Sequence, residues 1–274
     1  MTRLPTIAQH AKQHGISPLR ALGQNFLFDY SLCQKIANTA TIQENDVVIE
    51  IGPGTAGLTR AILENNPRKL IVLEKDRRCI SLLNDIKIIH PALEIIEHDA
   101  LNLSIKNVLH LYGLPTDTKV KILSNLPYNI ATALILNWYK ELENIEIINV
   151  MVQKEVAERI ASLHNNKVYG RLSVISQLLT SPSILFDVSP DAFYPKPKIW
   201  SSIISLKPHD DRPSKYEIEK LEQITAASFN MRRKMIRSSL KQVIPSDLMK
   251  SLNLNARAEN LTPNDYLDIV RKLL

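Results

Sequence analysis

Five short, β-branched, largely apolar runs recur between residues 47 and 152 and constrain the fold of the chain more than any other feature: Val47–Ile51, Leu70–Leu73, Leu93–Ile96, Val120–Leu123 and Ile147–Val152. Runs of this length and composition read as strands buried on both faces. The segments between them, Leu58–Leu63 and Asp76–Asp85 among them, carry helical periodicity. Strand and helix in alternation predict a parallel sheet with helices on both sides, a doubly wound, Rossmann-like α/β domain. Two later runs, Ile184–Val188 and Trp200–Leu206, follow a helical stretch near 170–180 and are expected to add an antiparallel pair at the sheet edge. The first 25 residues are partly irregular, punctuated by Pro5, Gly15, Pro18 and Gly23.

Regular strands stop at Lys207. Pro208–Ser214 is polar with two prolines, a linker composition, so the expected division is 1–207 for the α/β domain and 208–274 for a small all-helical one. The helical pattern there covers Tyr216–Phe229, Arg233–Val243, Pro245–Leu252 and Pro263–Leu273, with Thr262 and Pro245 or Ser246 as start signals. The formal charge of +6 is densest toward this end, which favours a polyanionic partner. Cys33 and Cys79 form no paired spacing, and neither a disulfide framework nor structural zinc is expected. His10 and His14 share i, i+4 spacing but have no acidic or cysteine partner nearby in sequence, so they read as surface residues on a short helix and no metal is expected. Without an 18-residue apolar run or the apolar centre of a secretory signal, the chain is expected to be soluble and cytoplasmic, with no membrane partner.

Directly after the first strand stands Glu50-Ile-Gly52-Pro-Gly54-Thr-Ala-Gly57, a strand-to-helix turn holding three of only 7 glycines. The position suits a nucleotide. A nicotinamide dinucleotide is disfavoured, because Pro53 removes an N–H from a loop that would have to donate to pyrophosphate. A phosphate-free nucleoside fits better, and S-adenosylmethionine is one. Glu74, at the end of the second strand, would take the ribose hydroxyls, and Asp99, after the third, the adenine amine; each also has a plain reading as a loop residue or helix cap. The fourth strand ends in Asn125-Leu126-Pro127-Tyr128. An adenine amine is a poor nucleophile because its lone pair is delocalised into the ring. Asn125 Oδ1 and a backbone carbonyl at Leu126 or Pro127 would accept its hydrogens and pyramidalise the nitrogen, while Tyr128 stacks on an unstacked base. Further on, Phe193-Tyr-Pro-Lys196-Pro-Lys198 offers a second aromatic slice and two phosphate contacts; a rigid loop over a strand edge is the plain alternative.

Taken together with Leu22–Leu27, Gln153–Val156, Tyr169–Ser173, Arg232–Lys234, Arg237–Lys241 and Arg257–Leu261, these motifs resemble the ribosomal RNA adenine dimethylase family over nearly the whole chain. The departures, Thr55 and Ala56 in the glycine loop and Ile199 where relatives often have valine, touch no proposed role. The resemblance implies an S-adenosylmethionine-dependent methyltransferase whose cofactor set is Asn25, Leu27, Gly52, Gly54, Glu74, Asp99 and Asn125. Tyr128 and Phe193 would hold the target base. It also implies dimethylation of two adjacent adenosines in a hairpin loop near the 3′ end of 16S rRNA, within the precursor of the 30S subunit. Arg233, Arg237 and Lys241 fall at i, i+4, i+8 on one face of a helix and would grip RNA backbone, so particle binding should weaken with salt. Nothing suggests an obligate dimer. The other readings are a large-subunit rRNA methyltransferase of the resistance type, a ribosome-assembly factor acting mainly by binding, and a dehydrogenase.

Overall fold

The protein is described from a computed structural model covering residues 4–19, 22–230, 234–241, 243–245, 249 and 255–274. It divides into two compact units. The first comprises residues up to Lys154 together with Leu185–Leu206. Its strands are β1 (Phe26–Leu27), β2 (Val47–Ile51), β3 (Lys69–Glu74), β4 (Leu93–Glu97), β5 (Val120–Asn125) and β6 (Ile145–Gln153). β7 (Thr180–Val188) reaches in from the second unit, followed by β8 (Phe193–Tyr194) and β9 (Ser201–Pro208). One seven-stranded sheet runs β4-β3-β2-β5-β6-β9-β7, and β1 pairs with β8 in a separate ribbon. β2 to β6 are mutually parallel and β9 lies antiparallel to β6. The expected late pair therefore exists, with β9 inserted between β6 and β7.

β2 is buried along its whole length, as the apolar runs demand of a strand covered on both faces. The covering helices are α1 (Ile7–Gln13), α2 (Tyr30–Ala37), α3 (Gly57–Leu63), α4 (Arg77–Ile89), α5 (Ile105–Leu111) and α6 (Ala131–Trp138). The order extends outward from β2 in both directions, so it reverses between β2 and β5. In open α/β sheets the crevice beyond the strands' carboxyl ends at that reversal is where ligands bind.

α1 departs from expectation. His10 is 2% exposed, not a surface residue. Its Nε2 is 3.1 Å from Asp85 Oδ2 and its Nδ1 is 2.6 Å from a guanidinium nitrogen of Arg60. Arginine can only donate, so Nδ1 accepts and Nε2 carries the proton given to Asp85. His14 Nε2 reaches the same carboxylate oxygen at 2.8 Å. Arg60 also donates to the Pro5 carbonyl, and the cluster straps α1 to α3 and α4. With that tautomer enforced, His10 offers no lone pair to a cation. The acidic partner lies 75 residues from His10 along the chain, out of reach of local spacing.

The second unit comprises Glu155–Ile184 and Lys207–Leu274. Its helices are α7 (Lys154–Ala161), α8 (Arg171–Leu179), α9 (Lys215–Asn230), α10 (Ile236–Ser239) and α11 (Pro263–Arg271). The expected boundary after residue 207 nearly coincides with the second crossing, but 155–184 joins the helical unit, because α8 packs on α9 and α11. Within it Phe229 meets the buried Tyr169 edge-on and the buried Tyr266 at a tilt, with ring centroids 6.0 and 5.9 Å apart. A Thr262–Asp265 capping box starts α11, as the sequence signal indicates. The expected helix over 233–243 is shorter among the described residues, Ile236–Ser239, and leaves Lys241 in the following turn. Arg233 and most of the expected 245–252 helix lie outside the described residues.

Candidate active site

The β2-to-α3 turn forms the floor of the crevice. Gly52 and Gly54 have φ of +62° and +54°, the left-handed region that only glycine enters without strain. A Cβ on Gly54 would also stand 3.1 Å from the Phe26 ring. Three N–H groups of this loop are bonded within the protein: Gly52 donates to Leu73 O at 2.8 Å, Gly54 to Glu74 Oε2 at 3.1 Å and Ala56 to Pro53 O at 2.8 Å. Pro53 has none. With no donor at Pro53 and those three already bonded, the loop has fewer N–H groups to offer a pyrophosphate, in line with the reading against a dinucleotide.

Three carboxyls stand around the cavity. Glu74 Oε1 accepts from the N–H of Lys75 and of Asp76, both at 2.8 Å, and Oε2 from Gly54. A carboxylate has about four acceptor sites, so roughly one is left on Oε2, enough for one ribose hydroxyl without displacing a backbone donor. Burial pushes its pKa up, against the pull of those N–H groups. Asp99 caps the turn Ala100–Asn102 through Leu101 N–H and also meets Lys75 Nζ at 2.8 Å, which is the cap reading, and it lines the cavity as well. The lysine's hydrogen bond holds the Asp99 carboxyl below the usual range. Glu50, fully enclosed and accepting from Thr59 Oγ1 at 2.7 Å, is pushed up to about 8 by burial.

The acceptor loop leaves β5 at Asn125. Its Nδ2 donates to the Asn25 carbonyl at 3.2 Å, which orients the amide and keeps Oδ1 as the uncommitted end. The Pro127 carbonyl is occupied twice, by Ile130 N–H and Ala131 N–H, both at 3.1 Å, as the chain turns into α6. Among the described residues no such backbone bond ends on the Leu126 carbonyl, while Leu126 N–H is held by Met151 O at 3.2 Å. Of the two carbonyls the sequence offered, Leu126 is therefore the one with acceptor capacity to spare. Tyr128 is half-buried and its hydroxyl lies 2.6 Å from Ser201 Oγ.

Asn25, Leu27, Gly52, Gly54, Glu74, Asp99, Asn125, Leu126, Pro127 and Tyr128 all line one cavity of about 180 Å³. A single water needs only about 10–15 Å³, so this space is of small-molecule size. Phe193 is not on its wall. Alternation along β8 turns Phe193 inward, 5% exposed in the core with Phe26, and turns Tyr194 outward at 63%. Phe26 lines the cavity and was not singled out, although it stands inside the Leu22–Leu27 motif. Lys196 is ion-paired with Asp191. Lys198, Arg237 and Lys241 are exposed.

Residues 19–273 match the family described as Ribosomal RNA adenine dimethylase. The chain is 39% identical over 276 residues to Ribosomal RNA small subunit methyltransferase A of Agrobacterium fabrum, covering 98% of each. It is 40% identical over 272 residues to the protein of that name in Rhodospirillum rubrum, covering 98% of this chain and 92% of that one. Among solved structures, a dimethyladenosine transferase from Plasmodium falciparum superposes with a TM-score of 0.78 at 24% identity, covering 90% of this chain and 97% of the other. The 23S rRNA methyltransferase ErmE gives 0.70 at 24%, covering 91% and 99%. At that identity the likeness establishes the fold alone.

Proposed function

This chain belongs to the ribosomal RNA adenine dimethylase family, and from that premise we propose that it dimethylates the exocyclic amines of two adjacent adenosines in the 3′-terminal hairpin loop of small-subunit rRNA, within the 30S precursor. It is an S-adenosylmethionine-dependent rRNA methyltransferase. Full-length relatives at 39% and 40% identity carry the small-subunit name, which supports that branch over the resistance type. The observation that carries the mechanism is the pair of unspent acceptors at the cavity rim, Asn125 Oδ1 and the Leu126 carbonyl.

The cavity fits the cofactor: it has nucleoside-scale space, a glycine loop in which Pro53 has no N–H to give a phosphate, and carboxyls at Glu74 and Asp99 beside that space. Asn25, Leu27, Gly52, Gly54, Glu74, Asp99 and Asn125 would hold it. S-adenosylmethionine, when bound, supplies an electrophilic methyl group on a sulfonium. Asn125 Oδ1 and Leu126 O each accept one hydrogen of the adenine amine, which localises the nitrogen lone pair. Pro127 stiffens the loop, and the Tyr128 ring supports the extruded base. Both oxygens are placed before substrate arrives, so catalysis is mainly positioning. Lys198, Arg237 and Lys241 would meet RNA backbone, making affinity fall with salt. The enzyme would act as a cytoplasmic monomer; among the described residues no helix is long and apolar enough to cross a membrane.

The test is transfer from labelled S-adenosylmethionine to unmodified small subunits, with large subunits in parallel and mass spectrometry of the nucleosides. Dimethyladenosine in small subunits alone is expected. Label in large subunits refutes the branch. Asn125→Ala, assayed at saturating S-adenosylmethionine, should lose at least about 100-fold in kcat, the scale of one preorganised polar group; retained activity refutes the acceptor role.

A further inference from the structure

Tyr128 does not hold itself in place. Its ring stands on the cavity wall, and its hydroxyl is 2.6 Å from Ser201 Oγ. Ser201 is fully buried, and so is its neighbour Ser202. The two belong to β9, where successive side chains point to opposite faces. Ser202 Oγ donates to Asp187 Oδ1 at 2.6 Å, in a pair with Lys154, while Ser201 is directed at the acceptor loop. The start of β9 is itself fixed, since Ser201 is in register with Gln153 and the Trp200 carbonyl accepts from Lys154 N–H at 3.0 Å. A buried serine on a rigid strand thus anchors the far end of the aromatic ring beside Asn125 and Leu126 and limits its swing about the Cα–Cβ bond.

We propose that Ser201 is a positioning residue for methyl transfer, acting through the Tyr128 hydroxyl to hold the ring face where the target base must lie. The inference rests on the function proposed above. RNA affinity comes mostly from backbone contacts elsewhere, so a ring free to rotate costs productive alignment more than binding.

Full-length wild type, Ser201→Ala, Tyr128→Phe and the double variant are assayed with unmodified small subunits, alongside cofactor binding by calorimetry and thermal unfolding. Ser201→Ala should lower kcat about tenfold, the equivalent of one hydrogen bond, with the KM for subunits and the cofactor Kd within about twofold. Tyr128→Phe keeps the ring, removes the same bond from the other end, and should match it; the double variant should be no worse than either single one. Wild-type kcat in Ser201→Ala overturns the proposal. So does a loss that is additive with Tyr128→Phe, or one shared with cofactor affinity and melting temperature, which marks a merely structural serine. If Ser201→Ala does not fold, unchanged kcat in Tyr128→Phe overturns it equally. Failure of wild type to methylate small subunits would instead refute the assigned function.

Discussion

Replacing Glu50 by glutamine should stabilise the protein, and by an amount that depends on pH. The carboxyl is buried beneath the glycine loop, with Thr59 Oγ1 donating to it. Burial raises its pKa from 4.5 to about 8. A group raised in the folded state contributes its full stability below the unfolded value and loses it as pH climbs through the folded one. At pH 7 the unfolded chain has released this proton and the folded chain has kept it. The gap from 4.5 to 7, at about 1.36 kcal/mol per pH unit, makes about 3 kcal/mol lost relative to mild acid. Glutamine keeps an oxygen for Thr59 and has no proton to release. At about 2–4 °C per kcal/mol, Glu50→Gln should melt roughly 6–12 °C above wild type at pH 7 and nearly with it at pH 4.5. Thermal and urea unfolding of the cofactor-free protein across that range measures the difference. A gain that does not grow with pH, or a loss at pH 7, would refute the burial argument.

Two further outcomes follow from the geometry. Gly54→Ala should destabilise by about 1–3 kcal/mol and weaken cofactor binding, because a left-handed φ and the Phe26 ring at 3.1 Å both oppose a Cβ; unchanged urea unfolding would contradict this. The clamp on α1 should loosen in acid: burial lowers the pKa of His10 from 6.5, so its contribution is present above pH 6.5 and is lost as pH falls below it, while Asp85, lowered by its hydrogen bond from His10, stays ionised throughout that window. Amide protection of Ile7–Gln13 should drop between pH 7 and 5.5 and be low throughout in Asp85→Ala, while constant protection in both would exclude the clamp.

The sheet was legible because each strand declares itself locally: Val47–Ile51 can be little else than a doubly covered strand, and a glycine turn followed by helical periodicity marks the crossover. Ends were legible where a cap was, as at Thr262. What local pattern could not carry was partner choice. The apolar stripe of α8 says that it packs, not that it packs on α9 and α11, so 155–184 was assigned to the wrong side of the expected boundary. His10 looked exposed because Asp85 and Arg60 approach it only in three dimensions. At the site, residue types and order were readable, but lone-pair accounting was not. Which carbonyl of Leu126 and Pro127 is free depends on the turn into α6, and Phe193 was read by residue type when the alternation of a two-residue strand decides where it faces.

If Asn125 Oδ1 and the Leu126 carbonyl are the acceptors proposed above, they also set a stoichiometry over successive turnovers. An unmodified amine has two hydrogens, one for Asn125 Oδ1 and one for the Leu126 carbonyl. After the first transfer only one remains, so in the second round one oxygen faces a methyl group instead of a donor. On the proposed mechanism the second transfer proceeds with one hydrogen bond fewer than the first, and the finished dimethylamine engages neither oxygen. The substrate's grip on the loop thus weakens with each methyl added, and the product with least to hold it is the fully modified base.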